Sequence, residues 1–274
     1  RGFFAQWVRQ AGAPTVRATQ VVQDDVAGSP GEPGTVRLRV TLTQPSPAFR
    51  LSVPVTLTLA DQSRQSISVR LESTRQTFEL SLPSRAVGLS VDPDMELFRR
   101  IPRADLPPML NLYVTDPTRV VVLPSGGTVE AQRPFAELAK VIESRSPGTV
   151  IQTDQAPVPV EGSLLLLGGP EGHHVARQIL EPCGSQVTVD RDRFTVGGRT
   201  YAEPGMALLV TCRRPDSPGS MATLFYGLSP QALSKPARLL FFYGWQSYVV
   251  FHDGAVIARG DFPAAQEGME VAIP

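Results

Sequence analysis

Residues 51–59 read LSVPVTLTL, and every second residue of this stretch is large and apolar. The positions between them carry Ser, Pro and Thr. Successive side chains of a β-strand point to opposite faces of a sheet. The stretch therefore predicts a strand with one buried and one exposed face. The apolar positions are Leu51, Val53, Val55, Leu57 and Leu59.

The same alternation recurs from residue 16 to about residue 92. Turn-rich segments at 28–34, 44–47 and 61–64 separate the strands. Short strands that each have one apolar face predict two antiparallel sheets packed together, an Ig-like β-sandwich over residues 16–105. The further apolar sets are Val36, Leu38, Val40 and Leu42; Ile67, Val69 and Leu71; Phe78, Leu80 and Leu82; and Val87, Leu89 and Val91.

Residues 93–117 break the alternation. Pro102, Pro107 and Pro108 oppose a long helix or a central strand, so the segment predicts a connector with a short helical turn. We place a linker at residues 106–118 on this basis. A second domain then follows over residues 119–274.

From Arg119 onward the pattern changes to apolar strands that alternate with amphipathic helices. This alternation predicts a three-layer α/β domain, with a mainly parallel sheet and antiparallel additions. Ser229-Pro230 is typical of a helix start, and Asp253-Gly254 predicts the turn of a closing hairpin. The predicted strands are Val120–Leu123, Leu164–Leu167, Ala207–Val210, Ala222–Phe225, Tyr248–Phe251 and Val256–Ile257. The predicted helix faces are Phe135, Leu138, Ala139 and Ile142, then Val175, Ile179 and Leu180.

Composition excludes several classes of partner. The 26 basic and 26 acidic residues balance, which removes any global attraction to nucleic acid. An apolar content of 42% is ordinary for a globular protein. No run approaches the roughly 20 apolar residues of a membrane helix. We therefore expect neither a nucleic-acid partner nor a membrane span.

Cys183 and Cys212 are the only cysteines, so they could form a single disulfide. Free cysteines are among the most buried residue types. The sequence therefore favours two buried free thiols, with one bridge as the alternative.

No catalytic or metal site is apparent from residue types and spacing. The histidines are His173, His174 and His252. Neighbouring histidines on a helix point about 100 degrees apart, so they cannot share a metal ion as two ligands one turn apart do. We expect His173 and His174 on the surface of a first helical turn. Ser125 lacks the glycine before it that a nucleophile elbow requires, and capping is the favoured role.

Two glycine-rich loops follow predicted parallel strands, and such loops line the crevice at the carboxyl ends of an α/β sheet. One contains Ser125, Gly126 and Gly127, and the other contains Gly168 and Gly169. They predict, as an alternative function, a site for a small ligand or an anion. No cofactor follows from their sequence, because neither loop matches a dinucleotide or Walker motif.

Two stretches contain distinctive short motifs. The first comprises residues 3–8 (FFAQWV) with 12–14 (GAP), and the second comprises residues 78–83 (FELSLP), 91–94 (VDPD) and 98–100 (FRR). Together they resemble zinc aminopeptidases of the aminopeptidase N (gluzincin) type. In that family, the first stretch is similar to the segment that leaves the catalytic domain and enters a β-sandwich, and the second is similar to the end of that sandwich. The resemblance covers roughly residues 1–105.

The resemblance implies that residues 1–15 are a lead-in helix from an upstream catalytic domain of the same polypeptide. That domain would hold the zinc, because the family's H-E-x-x-H helix and its substrate loop do not occur here. No functional residue is therefore carried over onto this sequence. The expected role is a non-catalytic one in structure, substrate access or partner binding. A bacterial cell envelope or periplasm is the expected compartment, and the α/β module departs from the all-helical domain of the best-known members.

Overall fold

The structure, a computed structural model, describes residues 2–27, 34–146, 148–214, 216–265 and 268–274. The predicted turn at 28–34 lies outside the described residues apart from Gly34, and so does the side chain of Ile179. The protein is mostly β, with several antiparallel sheets, one mixed sheet and few helices. It divides into two compact units, Arg1–Asp105 with Gln266–Pro274, and Leu106–Ala265.

The strands that precede residue 106 are β1 (Arg17–Val26), β2 (Thr35–Thr43), β3 (Leu51–Leu59), β4 (Arg64–Leu71), β5 (Arg75–Leu82) and β6 (Ala86–Val91). The later strands are β7 (Val120–Leu123), β8 (Val150–Thr153), β9 (Leu164–Leu167), β10 (Val187–Val189), β11 (Phe194–Val196), β12 (Arg199–Tyr201), β13 (Met206–Arg213), β14 (Met221–Gly227), β15 (Tyr248–His252), β16 (Ala255–Gly260) and β17 (Glu270–Ala272).

The α-helices are α1 (Gly2–Phe4), α2 (Leu110–Val114), α3 (Val129–Arg145), α4 (His174–Leu180), α5 (Pro230–Leu233) and α6 (Pro236–Leu239). A π-helix covers Ala5–Arg9, and 3-10 helices cover Arg103–Asp105, Glu181–Gln186 and Leu240–Tyr243. None of the helices within the described ranges combines the length and apolar character needed to cross a bilayer.

The first unit contains two antiparallel sheets that share one hydrophobic core. Their strand orders are β1-β2-β5 and β17-β6-β3-β4. Burial along β3 alternates as the sequence predicts, and Val53 and Leu57 are completely buried. Leu38 and Leu42 of the other sheet belong to the same core. The strands predicted from alternating apolar residues in this unit are thus confirmed.

Three details of the first unit differ from the prediction. Val87 is exposed although its spacing from Leu89 predicts burial, because a register shift between β3 and β6 turns this end of β6 over. The segment after residue 265 also belongs here and not to the second domain, since β17 pairs with β6. The lead-in segment is helical only to Arg9.

The second unit begins at Leu106 and includes residues 106–118, the segment that the sequence predicts as a linker. Leu110 and Tyr113 of α2 are buried in its core, which explains why this proline-rich segment belongs to the unit. The main sheet has the order β16-β15-β13-β14-β9-β7-β8. It is mixed and not mainly parallel, since β7, β8, β9 and β14 pair in parallel and the remaining pairings are antiparallel.

Alternate residues of the central strands lie in two separate hydrophobic clusters. Val121 and Leu165 share a cluster with the apolar face of α3. Val120 and Leu164 share the other cluster with α4. Strands buried in this way read as continuous apolar runs, which is how β7 and β9 were recognisable in the sequence.

Cys183 and Cys212 form a disulfide, so the expectation of two free thiols is wrong. The 3-10 helix at Glu181–Gln186 lies against β13 and holds the two Cα atoms 5.5 Å apart, a distance that a disulfide spans. Both residues are buried in one hydrophobic cluster. The burial habit of free cysteine therefore predicted the environment correctly but not the bond.

We expect replacement of both cysteines by alanine to lower the free energy of unfolding of the second unit by about 3–4 kcal/mol, because a cross-link limits the entropy of the unfolded chain. Urea unfolding of wild type and variant, followed by far-UV circular dichroism, measures the difference. Addition of a reductant should destabilise only the wild type. Equal midpoints in oxidising buffer would contradict the structural role of the disulfide.

Asp116 fixes the amino ends of β7 and β9. Its Oδ1 accepts hydrogen bonds from the backbone N–H and hydroxyl of Thr118 at 2.9 and 2.8 Å. Its Oδ2 accepts from the N–H and hydroxyl of Ser163 at 2.9 and 2.6 Å. Burial raises the pKa of Asp116, but these hydrogen bonds outweigh burial and leave the pKa below its ordinary value.

We expect the stabilising contribution of Asp116 to be present at neutral pH and to disappear as the pH falls below about 4, because its folded-state pKa is the lower one. Comparison of wild type with Asp116→Asn in urea unfolding between neutral and acidic pH tests this. The stability difference should shrink as the pH falls. A difference that grows on acidification would show that the sign is wrong.

Candidate functional site

The strand order of the second unit reverses between β7 and β9. From β7 the chain passes through α3 to β8 on one side, whereas β9 lies on the other side of β7. The loop after β7 leads to α3 and the loop after β9 leads to α4, and these two helices pack in separate hydrophobic clusters. A reversal of this kind leaves a crevice outside the carboxyl ends of the strands, which is where α/β sheets bind ligands.

The two loops approach each other through their backbones. The N–H of Gly126 donates a hydrogen bond to the carbonyl oxygen of Gly172 at 3.1 Å. A Cβ on Gly126 would stand 3.2 Å from that oxygen, and a Cβ on Gly172 would stand 3.1 Å from the carbonyl oxygen of Gly126. Glycine on both sides is what permits the close approach.

A cavity of about 400 Å³ opens beside this contact. Its backbone walls come from the loops after β7, β9 and β14 and include Gly126, Gly127, Gly168, Gly169 and Gly227. Its apolar walls come from Phe135 of α3 and from Leu228 and Leu233 near α5. The volume lies within the range of small-molecule sites in proteins.

Four of the five residues predicted for a ligand loop line this one cavity, namely Gly126, Gly127, Gly168 and Gly169. Ser125 is exposed and does not line it. Its backbone N–H donates to Asp154 Oδ1 at 2.8 Å, which anchors the loop after β7. The structure thus brings the two predicted loops together, and the role of Ser125 there is to hold the backbone.

Tyr226 connects two walls of the cavity. Its ring lies so close to Gly169 that a Cβ there would stand 2.3 Å from a ring carbon. Its hydroxyl donates to the carbonyl oxygen of Arg191 at 2.9 Å, in the turn between β10 and β11. Burial raises the pKa of Tyr226, and the nearby Glu171 carboxylate raises it further. The phenol therefore stays a neutral hydrogen-bond donor.

His173 is completely buried, so the expectation that it lies on the surface is wrong. Its Nδ1 lies 3.8 Å from Asp154 Oδ2, and its Nε2 lies 3.4 Å from the carbonyl oxygen of Val122. The imidazole ring of His173 therefore lies beside β7. The spacing of residues in the sequence does not predict this position. The side chain of His174 lies outside the described residues.

His252 lies near the partly exposed hairpin turn, with Nε2 3.3 Å from Glu203 Oε2 and 3.7 Å from Asp253 Oδ2. In the parts of the chain that the structure describes, no group of three or more His, Cys, Asp or Glu side chains is arranged to hold a metal ion.

Sequence reasoning missed Tyr226 and Arg191 as residues of the site. Tyr226 follows directly on the predicted strand Ala222–Phe225, so its place at a carboxyl strand end could have indicated it. Arg191 comes from the small sheet β10-β11-β12, which the sequence did not predict. Its three-residue strands are too short to show an alternating pattern.

No protein-family model matches this chain, and a search of curated proteins finds no significant match. The aminopeptidase resemblance therefore stays a prediction.

We expect Gly169→Ala to destabilise the second unit by about 1–3 kcal/mol, because the added methyl group displaces the Tyr226 ring. Gly88→Ala is the matched control, since a Cβ there meets only Thr58 at an ordinary 3.7 Å. Thermal unfolding and tyrosine fluorescence of both variants measure the effect. Equal behaviour of the two variants would contradict the close packing of Tyr226 on Gly169.

Proposed function

We propose that the second unit binds a small ligand in the cavity between the loops after β7, β9 and β14. One observation carries the proposal: the cavity stands where the strand order reverses, and glycines form its backbone walls. Glycine leaves backbone groups accessible to a ligand, and apolar residues of α3 and α5 supply a surface that excludes water. This is the small-ligand alternative that the sequence predicts.

We also propose a specific architecture for each of the two units. We propose a three-layer α/β domain, supported by the two clusters that place α3 with Val121 and α4 with Val120. For the first unit we propose an Ig-like β-sandwich, supported by the single core that its two antiparallel sheets share.

We expect Ala131→Trp to abolish ligand binding, because Ala131 lines the cavity and an indole would fill it. Ala136→Trp is the matched control, since Ala136 is exposed on the same helix and lies outside the cavity. The measurement is ligand-observed NMR of a fragment library with the whole chain. Fragments should bind wild type and Ala136→Trp but not Ala131→Trp. Fragments that bind all three proteins equally would place the site elsewhere.

A second proposal concerns the first unit. We propose that it belongs to the non-catalytic region of a zinc aminopeptidase-like protein, with a role in structure, substrate access or partner binding. The support is a contact between the two stretches of resemblance, since the Trp7 ring lies 5.7 Å from the Phe98 ring. The disulfide supports a periplasmic or envelope location, since such bonds persist in oxidising compartments.

We expect the purified chain to release no product from aminoacyl p-nitroanilides, with or without added zinc, because the proposal places the catalytic residues in another domain. Absorbance of free p-nitroaniline is the measurement, and an active zinc aminopeptidase is the positive control. Zinc-dependent turnover by this chain would refute the non-catalytic role.

A further inference from the structure

The residues that line the cavity include one acidic and one basic residue. Glu171 comes from the loop after β9, and Arg191 comes from the turn between β10 and β11. Both residues are exposed, and neither forms a salt bridge with another residue in the described ranges. By contrast, the neighbouring Arg193 pairs with Asp192 at 3.2 Å. Among the described residues, Glu171 and Arg191 are thus two exposed charges at the cavity.

Both charges act on the same wall of the cavity. Glu171 raises the pKa of the Tyr226 phenol, and Arg191 lowers it, so both lie within electrostatic range of this one group. Asp192 and Asp190 also raise that pKa, but they do not line the cavity. The Tyr226 hydroxyl fixes the Arg191 backbone, which keeps the basic residue at the edge of the cavity.

The remaining side-chain walls are largely apolar. Phe135 and Leu233 are buried core residues whose surfaces reach the cavity, and Leu228 and the ring of Tyr226 complete the wall. Such a wall favours an apolar or aromatic ligand body, because burial of apolar area is the main source of affinity at small-molecule sites.

A ligand that fits these walls must also suit both charges. A simple anion would be repelled by Glu171, and a simple cation would be repelled by Arg191. A neutral apolar molecule would leave both charges without a partner as it covers them, which costs desolvation. A molecule with one positive and one negative group satisfies both.

We infer that the cavity binds a small zwitterion with an apolar body, of the chemical class of an aromatic amino acid or a short apolar peptide. The inference rests on the proposed function, since it names the ligand class of the same cavity. Arg191 would pair with the carboxylate of the ligand, and Glu171 would pair with its ammonium group.

Four probes of the whole chain test the inference: L-phenylalanine, phenylalaninamide, 3-phenylpropionate and inorganic phosphate. Phenylalaninamide lacks the carboxylate, and 3-phenylpropionate lacks the ammonium group. Isothermal titration calorimetry measures the affinities. L-Phenylalanine should bind about fivefold more tightly than either analogue, which is the upper end of the range for one exposed ion pair, and phosphate should not bind.

Two variants assign the charges. Arg191→Gln should lower the affinity for L-phenylalanine about fivefold. The same variant should raise the affinity for phenylalaninamide, because this cation is then no longer repelled by Arg191. Glu171→Gln should lower the affinity for L-phenylalanine by a similar factor. The same variant should raise the affinity for 3-phenylpropionate, because this anion is then no longer repelled by Glu171. Arg193→Gln and Glu181→Gln are the matched controls, because these exposed residues do not line the cavity.

The outcomes separate this inference from the proposed function. Equal affinity for all three aromatic probes, or preference for phosphate, would refute the inference that the ligand is a zwitterion. Either result would still agree with a small-ligand site in the cavity. Variants that bind L-phenylalanine as the wild type does would overturn the assignment of the two charges. If no fragment of any class binds at the cavity, the proposed function fails together with the inference.

Discussion

The close approach of two glycine backbones is the constraint on which the cavity depends. The Gly126 N–H donates a hydrogen bond to the Gly172 carbonyl oxygen at 3.1 Å. This contact joins the loop after β7 to the loop after β9, the two strands between which the strand order reverses. A Cβ at either position would come too close to backbone atoms of the other loop. Because backbone cannot rotate away as a side chain can, the two loops would have to move apart. The cavity opens beside this contact, and both glycines are among the residues that line it.

Other interactions hold the strands so that the two loops can meet. Asp116 joins the amino ends of β7 and β9 through Thr118 and Ser163, while Asp154 receives the Ser125 N–H at the carboxyl ends. Tyr226 ties the small sheet to the wall of the cavity. Each of these groups is polar and buried or half-buried, and each is satisfied by backbone atoms of a loop. Hydrogen bonds at both ends of the short apolar strands β7 and β9 therefore position the site.

The sequence predicted the elements with strong periodicity. The structure contains the elements predicted from the apolar runs of β7 and β9, the buried face of α3 and the alternation along β3. These elements were predictable because the burial of their side chains produces a periodic pattern of apolar residues in the sequence. Long-range pairing was not predictable, since the residues that pair β17 with β6 carry no local signal of their partner. The disulfide and the buried His173 were missed for the same reason. Four of the glycines at the cavity were indicated in advance, but Arg191 was not, because its strands are too short to show a period.

The most direct test of the central claim is a crystal structure of the chain soaked with a fragment mixture. The claim predicts density for a bound fragment between Gly127, Gly169 and the ring of Tyr226, with the Gly126–Gly172 backbone contact intact. A structure in which side chains fill this space, or in which fragments occupy other surfaces and leave it to solvent, would contradict the claim.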